Sequence, residues 1–464
     1  MTVIVVIGGG PGGYEAALVA RRLGAEVTVV DSDGIGGSCV LTDCVPSKTL
    51  IATSEAASAV VESGGLGVLG PAGGHVAVDL ERVNARVLAL AAAQSADIRA
   101  RLLTAGVRIV HARGSLADTG TVLAHPLGDG AGGEPERIAA DAVLLATGAR
   151  PRVLPEAEPD GERILTWTQV YDLTEVPGHL IVVGSGVTGA EFASAYLNLG
   201  AQVTLVSSRD RVLPGEDADA AVVLEAAFRR RGMRVAGRSR AAGVVRAGRD
   251  GVRVTLTDGR TIDGTHCLMA VGSVPNTAGL GLEHSGVRLG RGGFVEVDRV
   301  SRTSARGVYA AGDCTGVLML ASVAAQQGRI AMQHALGDTV RPLDLRSVAA
   351  NVFTEPEIAT VGVSQEAVER GEMAARTVTL PLATNARAKM QGVRDGFVKL
   401  FCRPGTGIVV GGVVVAPRAS ELIFPVSLAV DQQLSVDQIA HAFTVYPSMT
   451  GSVAEAARML HLPG

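Results

Sequence analysis

Val3-Ile-Val-Val-Ile-Gly-Gly-Gly-Pro-Gly-Gly13 opens the chain with five consecutive β-branched residues that run straight into a glycine-rich turn. An apolar run without alternation reads as a strand buried on both faces, and Gly8-x-Gly10-x-x-Gly13 at its end reads as the turn into a helix. An Ala-rich helical segment follows, then a second strand, Val27-Thr-Val-Val30, ending at Asp31. Strand, turn, helix, strand and terminal acid make up a dinucleotide-binding unit. Its glycines let backbone N–H groups approach a pyrophosphate at the helix N-terminus, and Asp31 can accept a hydrogen bond from a ribose hydroxyl. Gly8, Gly10, Pro11, Gly12, Gly13 and Asp31 are therefore candidate binding residues.

A second copy begins at Leu180-Ile-Val-Val183 and continues through Gly184-Ser185-Gly186-Val187-Thr188-Gly189 into a helix carrying Glu191, with Val203-Thr-Leu-Val206 as its second strand. Either turn alone could be an ordinary glycine-rich loop. Two such glycine-turn units in one chain imply two dinucleotides.

The bulk properties narrow the class. At 464 residues the chain is long enough for two to four domains with full cores. Hydrophobic residues make up 47%, yet no apolar run reaches the length of a membrane-spanning helix, and the excess is dispersed Ala, Gly and Val. The N-terminus reads as a buried strand with no leader sequence, so a soluble cytoplasmic protein is expected. A formal charge of −4 without basic blocks gives no footprint for nucleic acid or anionic lipid. Five cysteines are too few for a secreted disulfide framework. No metal site is expected.

Two of those cysteines stand in Cys39-Val-Leu-Thr-Asp-Cys44-Val-Pro-Ser-Lys48. The spacing places both sulfurs near the entry of a helix, where the positive end of the dipole favours thiolate, so the pair is expected to cycle between dithiol and disulfide. Lys48 is one of three lysines among 42 basic residues, with Lys389 and Lys399. For those two, chance survival on the surface is a reasonable reading; for Lys48 it is a poor one.

The Cys39–Lys48 segment resembles the redox signature of the pyridine nucleotide–disulfide oxidoreductases, the FAD enzymes that include lipoamide dehydrogenase, glutathione reductase and mercuric reductase. Further likenesses follow in the family's order: Ala146-Thr147-Gly148 after a buried strand, Gly307-Val-Tyr-Ala-Ala-Gly312-Asp313, Leu320-Ala321-Ser322, Phe353-Thr-Glu-Pro-Glu357, Asn385-Ala-Arg-Ala388, Gly396-Phe-Val-Lys399 and Glu421-Leu422. The resemblance implies an α/β fold of two Rossmann-like nucleotide-binding domains plus an α+β C-terminal dimerisation domain. Its implied boundaries are residues 1–155 and 275–345 for an FAD domain in two segments, 156–274 for an NAD(P) domain, and 346–464 for dimerisation. A long helix is expected over Asp79–Ala105, and the stretch from Ala117 to Pro135 is expected to be a hairpin or loop.

Carried over residue by residue, the resemblance makes Cys44 the thiol that contacts the flavin and Cys39 the one that would attack an outside disulfide. Lys48 and Glu191 match the ion pair beside the flavin ring. Gly37, Ser38, Gly114, Ala146, Thr147, Gly148, Asp313 and Ala321 join the first fingerprint as FAD ligands, Asp313 on the ribityl chain. The nicotinamide nucleotide, NADPH or NADH, falls to Gly184, Gly186, Val187, Gly189 and Gly272, with Ser207, Ser208 and Arg209 placed to take a 2′-phosphate. NADH-selective members end that strand with an acid; here Val206 is followed by the two serines and Arg209. Gly189, often Ala in NADP-selective members, points the other way.

One departure matters most. The family's disulfide reductases carry a C-terminal His-Pro-Thr and a following Glu, brought in by the second subunit of a homodimer as acid/base for the dithiol. Here Tyr446 stands at the His and Gly451 at the Glu, and a phenol is a poor base at neutral pH where imidazole is poised. His441 lies nearby but off the motif. The vicinal C-terminal cysteines of mercuric reductase are missing as well. The stretches GPGGYEAALVA, DGERILTW, VVGSGVTGAEF and VYPSMTGS are similar to a lipoamide-dehydrogenase-like NAD(P)H quinone reductase branch of the family, which lacks the first cysteine; this chain keeps Cys39. The expected activity is electron transfer from NAD(P)H through FAD to a quinone or similar small-molecule acceptor. Dihydrolipoyl or other low-molecular-weight disulfide reduction is the alternative, and a non-catalytic flavin-binding interaction protein a remote one.

Overall fold

The Val3–Ile7 strand lies at the centre of a five-stranded parallel sheet, because a strand with no polar face must be covered on both sides. The order across the sheet is Val308–Ala310, Ala142–Leu145, Val3–Ile7, Glu26–Asp31, Arg108–His111. This computed structural model describes residues 1–68, 76–128 and 133–461. The chain packs as two units: Met1–Ser47, Ala85–Arg152 and Gly272–Asp344 in the first, and Lys48–Asn84, Val153–Val271 and Leu345–Gly464 in the second.

In the first unit the glycine turn leads into α1 (Pro11–Arg22). Gly8 has φ +106°, and a Cβ on it would lie 2.2 Å from the Ala146 carbonyl oxygen, so only glycine fits. A Cβ on Gly13 would lie 1.9 Å from the Gly8 carbonyl oxygen, which shows how closely the helix crosses its strand. On the far side of α1, the Ala321–Ala335 helix approaches so closely that a Cβ on Gly328 would lie 2.0 Å from the Gly12 carbonyl oxygen. After Asp31 come α2 (Gly37–Leu41), α3 (Cys44–Glu62) and α4 (Leu80–Thr104); α3 and α4 run from one unit into the other. Helix α4 is the long helix expected from the sequence, with the Arg82 N–H donating to the side chain of Asp79 at 3.0 Å. The stretch from Ala117 to Pro135 includes one arm of a hairpin, as Arg113–Asp118 pairs with Thr121–His125, which in turn pairs with Glu136–Ala139; residues 129–132 lie outside the described residues.

The second unit repeats the pattern. Its parallel sheet runs Arg234–Ala236, Gln202–Val206, His179–Val183, His266–Met269, Ile164–Thr166, and its glycine turn leads into α5 (Val187–Asn198). The two turns match in detail. Gly184 has φ +112°, its Cβ would lie 2.1 Å from the Ala270 carbonyl oxygen, and a Cβ on Gly189 would lie 1.9 Å from the Gly184 carbonyl oxygen. The glycine at 189 is thus required by contact between helix and strand, which leaves it mute on nucleotide preference. Helix α6 (Ala218–Arg230) follows the second strand, and Asp217 caps it by accepting from the backbone N–H groups of Asp219 and Ala220.

The C-terminal part of this unit is an antiparallel sheet in the order Ala349–Val352, Glu357–Gly362, Val409–Ala416, Phe397–Cys402, Arg376–Pro381. Every residue of Val409–Ala416 and of Phe397–Cys402 is buried. Here the sequence reading needs correcting. Lys399 is not a surface residue: its side chain is 1% exposed and donates to Asp217 and Asp219 at 2.6–3.0 Å. Lys389 is exposed, as expected.

The helix crossing at Gly328 gives a first prediction. Gly328→Ala must push α1 and the Ala321–Ala335 helix apart, an overpacking defect of about 1–3 kcal/mol. Urea unfolding followed by circular dichroism should show that loss, whereas Gly24→Ala should cost less, since only its φ of +85° is strained and no atom lies within 4 Å of the added Cβ.

Candidate active site

The first glycine turn is built as an anion cradle. Helix α1 begins at Gly10 with no side-chain cap, so its first-turn N–H groups have no side-chain acceptor. A Cβ on Gly10 would have nothing nearer than the Gly37 Cα at 3.9 Å, so the mouth of the turn is open. Asp31 Oδ2 accepts from the Gly9 N–H at 2.6 Å, while Oδ1 accepts from Asp33 and Gly34 at 3.0 and 2.5 Å. Burial raises its carboxyl above the usual range despite these donors. The chain then returns to the turn: the Gly36 N–H donates to the Gly9 carbonyl at 2.8 Å. Gly37, at φ +58°, approaches so closely that its Cβ would lie 2.8 Å from the Gly10 Cα. That return delivers the cysteine segment to the rim of the cradle.

The two cysteines do not share one helix. Cys39 lies in the short α2, and Cys44 is the first residue of α3; the Thr42 and Asp43 N–H groups donate to the Ser38 carbonyl and close the turn between them. Both are partly exposed. The other three cysteines are buried, and burial pushes the Cys314 thiol up to about 11 and raises those of Cys267 and Cys402, which makes them unreactive.

On the same unit, Thr147 Oγ1 donates to the Asn276 carbonyl at 2.7 Å, and the Asn276 side chain returns a bond to the Thr147 carbonyl at 3.0 Å. This clasp fixes the Ala146-Thr147-Gly148 turn. Asn276 was missed in the sequence, although it lies four residues after Gly272. Gly114 sits where a Cβ would meet the Ile7 side chain at 2.7 Å. Asp313 follows Gly312, whose N–H donates to the Gln327 side chain at 2.8 Å. Its carboxyl is pushed up to about 6, first by burial and then by the negative charge of Asp43, the residue before Cys44. Ala321 begins its helix after an N-cap, Leu320, that supplies no side-chain acceptor. Open glycines, uncapped helix starts and two part-buried carboxylates on one unit suit the pyrophosphate and hydroxyl groups of a dinucleotide such as FAD.

The second unit holds the ion pair. Lys48, one turn after Cys44 on α3, donates to Glu191 Oε2 at 2.7 Å, and Glu191 is only 4% exposed at its side chain. The other carboxylate oxygen accepts from the Phe353 N–H at 2.9 Å, and the Phe353 ring lies 5.0 Å from the lysine ammonium. Helix α5 grips this segment along one face, since Ser194 Oγ accepts from the Glu355 N–H and Asn198 donates to the Glu355 side chain. Phe353 as a wall for Lys48 could not be read from either motif alone.

The second glycine turn is also uncapped at Gly186, has no atom within 4 Å of a Cβ there, and leaves Val187 exposed at the helix start. Ser207, Ser208 and Arg209 part company. Ser207 is fully buried, and its hydroxyl is engaged with Ser185 Oγ at 2.7 Å, the Arg211 carbonyl and the Arg209 N–H. It holds the loop's shape, while Ser208 and Arg209 are exposed. Gly272, at φ +94°, belongs to the first unit and accepts from the Arg152 N–H.

The C-terminal strip Phe443–Tyr446 is exposed throughout, with Tyr446 at 85%. Gly451 is the first residue of the Gly451–Met459 helix, and a Cβ on it would meet nothing nearer than the Ser448 hydroxyl at 3.6 Å. His441 is exposed and hydrogen-bonded to the Asp437 carbonyl.

Asp313 supplies a pH prediction. Its folded-state pKa is raised, so the stability it contributes is fully present below the unfolded value of about 4 and is lost as pH rises through about 6. In flavin-free protein, Asp313→Asn should therefore gain stability relative to wild type on going from pH 4.5 to pH 7.5, by about 1–3 kcal/mol. Urea midpoints at the two pH values measure this; an unchanged difference would contradict the assignment.

Comparison with known proteins agrees with this geometry. The pyridine nucleotide-disulphide oxidoreductase profile matches residues 2–328, and the dimerisation domain of the same family matches residues 348–457. An NAD(P)H dehydrogenase (quinone) of Mycobacterium tuberculosis is 58% identical, covering 99% of this chain and 94% of that protein. Dihydrolipoyl dehydrogenase 2 of Haloarcula marismortui is 33% identical, covering 98% and 96%. The crystal structure of LpdA from Mycobacterium tuberculosis, 57% identical, superposes over the full length of both chains with a TM-score of 0.94. Among the described residues no helix is long and apolar enough to cross a membrane. With two matched glycine turns, a paired-cysteine segment, a lysine–glutamate pair and a dimerisation sheet in one chain, the protein belongs to the pyridine nucleotide-disulphide oxidoreductase family, flavoenzymes that use FAD and NAD(P)H.

Proposed function

We propose that this oxidoreductase passes electrons from NAD(P)H to a quinone. The observation that carries the reading is the Tyr446/Gly451 strip. A disulfide substrate needs a proton for its leaving thiolate, and the position that supplies the family's imidazole holds a phenol with no carboxylate at 451 to orient it. A quinone needs no such group. The full-length likeness to a protein named NAD(P)H dehydrogenase (quinone) supports the same acceptor.

When bound, FAD supplies a two-electron relay between the nicotinamide and the acceptor. The chain's own residues do the rest. Gly8 to Gly13 and Asp31 hold the adenine-side phosphates and ribose, the Thr147–Asn276 clasp and Asp313 hold the remainder, and the Ala321 helix start favours negative charge. By the family resemblance Lys48, fixed by Glu191 and Phe353, would supply a cation that stabilises developing negative charge. Ser208 and Arg209 receive a 2′-phosphate. As the resemblance implies, Cys44 would be the thiol toward FAD and Cys39 the outer one. A cytoplasmic location goes with this reading, since an oxidising compartment would lock the pair as a disulfide. The exposed Phe443 and Val445 are covered in a homodimer, which brings the Tyr446 strip to the active site of a second copy. Retention of Cys39 supports one alternative, a low-molecular-weight disulfide reductase.

Steady-state turnover with NADPH against menadione and lipoamide separates the two. Menadione should be reduced much faster, and equal rates would transfer the assignment to disulfide reduction. Cys39→Ser should leave menadione turnover nearly unchanged. Tyr446→His with Gly451→Glu should raise lipoamide turnover by about 10²-fold or more, the usual worth of a positioned acid/base, with little effect on menadione. A Cβ at position 451 makes only ordinary contacts, with the Ser448 hydroxyl at 3.6 Å and the Thr444 hydroxyl at 3.9 Å.

Nucleotide choice is tested separately. Arg209→Ala should raise the KM for NADPH several-fold with kcat little changed, the signature of lost ground-state binding. The KM for NADH should not move. Equal shifts for both nucleotides would place Arg209 outside the site.

A further inference from the structure

Lys399 is the most deeply buried charge in the second unit, and the mechanism above does not use it. Its ammonium lies on a fully buried strand of the C-terminal sheet, yet its partners belong to the nucleotide-binding part, 182 and 180 residues earlier in the chain. Both oxygens of Asp217 accept from it, at 3.0 and 2.8 Å, and Asp219 accepts at 2.6 Å. Asp217 is 3% exposed at its side chain and also caps α6. The opposite end of α6 is tied to the C-terminal part as well: Arg230 is paired with Asp395, and Arg231, next after the helix, donates to Glu355 at 2.9 Å. Helix α6 is thus clamped at both ends by a segment outside its own Rossmann fold.

The loop entering α6 is the one that carries Ser208 and Arg209. At Arg209 the backbone is held by its N–H donating to Ser207 Oγ at 3.2 Å and by the Arg238 N–H donating to its carbonyl at 2.7 Å, and further bonds fasten the stretch from there to Asp217. The Leu213 N–H donates to the Ser185 carbonyl at 2.9 Å, Ser207 Oγ bonds Ser185 Oγ, and the Val212 N–H reaches Glu225 of α6 at 3.3 Å. Leu213 is held at φ +50°, a left-handed conformation that a free loop would relax. Ser185 is the second residue of the glycine turn itself. From Lys399 the path to the pyrophosphate turn therefore runs through Asp217, its chain neighbour Glu216, whose N–H donates to the Leu213 carbonyl at 3.0 Å, and the Leu213 N–H bonded to Ser185.

We propose that Lys399 is a positioning residue of the nicotinamide nucleotide site, fixing the loop that carries Ser208 and Arg209 by anchoring Asp217 at the start of α6. The proposal rests on the reading that the second glycine turn binds NAD(P)H. It makes the C-terminal sheet, beyond its role in dimerisation, part of the machinery that sets nucleotide affinity.

The test uses the full-length flavoprotein with two variants. Lys399→Met removes the anchor. Lys399→Met/Asp217→Asn removes it without leaving Asp217 charged in the interior, and asparagine retains the helix cap, so this variant folds where the single one fails. NADP⁺ affinity is measured by calorimetry, and KM and kcat for NADPH with menadione as acceptor. Each variant should raise the NADP⁺ dissociation constant and the NADPH KM by about two- to thirtyfold, the range for residues that couple sites without touching ligand. The kcat at saturating nucleotide should stay within about twofold, with flavin content and the menadione KM unchanged. A merely structural lysine predicts a lower melting temperature with wild-type nucleotide affinity in the folded protein, and that result would overturn the proposal. Wild-type protein that binds neither NADP⁺ nor NAD⁺ would overturn the nucleotide reading itself, and the inference with it, before any variant is made.

Discussion

The contact between a glycine-turn carbonyl and the helix that follows it is the constraint on which both halves of the molecule are built. At Gly8/Gly13 and again at Gly184/Gly189, a Cβ on the last glycine would lie 1.9 Å from the carbonyl of the first. No side chain can enter that gap, so the helix axis is held against the strand, and its uncapped N–H groups point at the place where a phosphate would sit. The alternating fates of the glycines follow. Those at the contact are needed for packing, while Gly10 and Gly186 face open space and are needed for access. The return of the chain at Gly36 and Gly37 uses the same close approach to bring the cysteine segment to the first turn.

The Rossmann parts are legible in the sequence because their signal is local: a β-branched run, three spaced glycines and an acid lie within about thirty residues of one another. The residues that complete the sites are less so. Phe353 lies 162 residues from Glu191, and the side-chain partners of Lys399 about 180 residues away. Nothing in the spacing of Gly-Phe-Val-Lys says that its lysine is buried, because burial of one charge depends on a counter-charge elsewhere in the chain. Ser207 shows the opposite error. A serine after the second strand suits a phosphate, but its hydroxyl is already committed to Ser185, and the sequence cannot show which of two adjacent serines turns inward. The charge of Asp43 beside Asp313 is likewise set only by the fold.

The scarcity of lysine gains a physical meaning from these placements. Two of the three lysines are in ion pairs with acids that are themselves buried, in a chain that otherwise uses arginine for positive charge. An ammonium is a compact point charge that two carboxylates can approach together, whereas a guanidinium presents a planar fork that needs more room. At Lys399 the charge sits among strand residues that are all buried, where a fork would have to displace neighbours. At Lys48 the ammonium meets the carboxylate of Glu191 and the face of Phe353 while the side chain keeps 29% of its surface open. The first lysine is enclosed and ties the C-terminal sheet to the start of α6; the second remains partly accessible. One residue type thus meets two demands that differ only in how much of it the fold leaves uncovered.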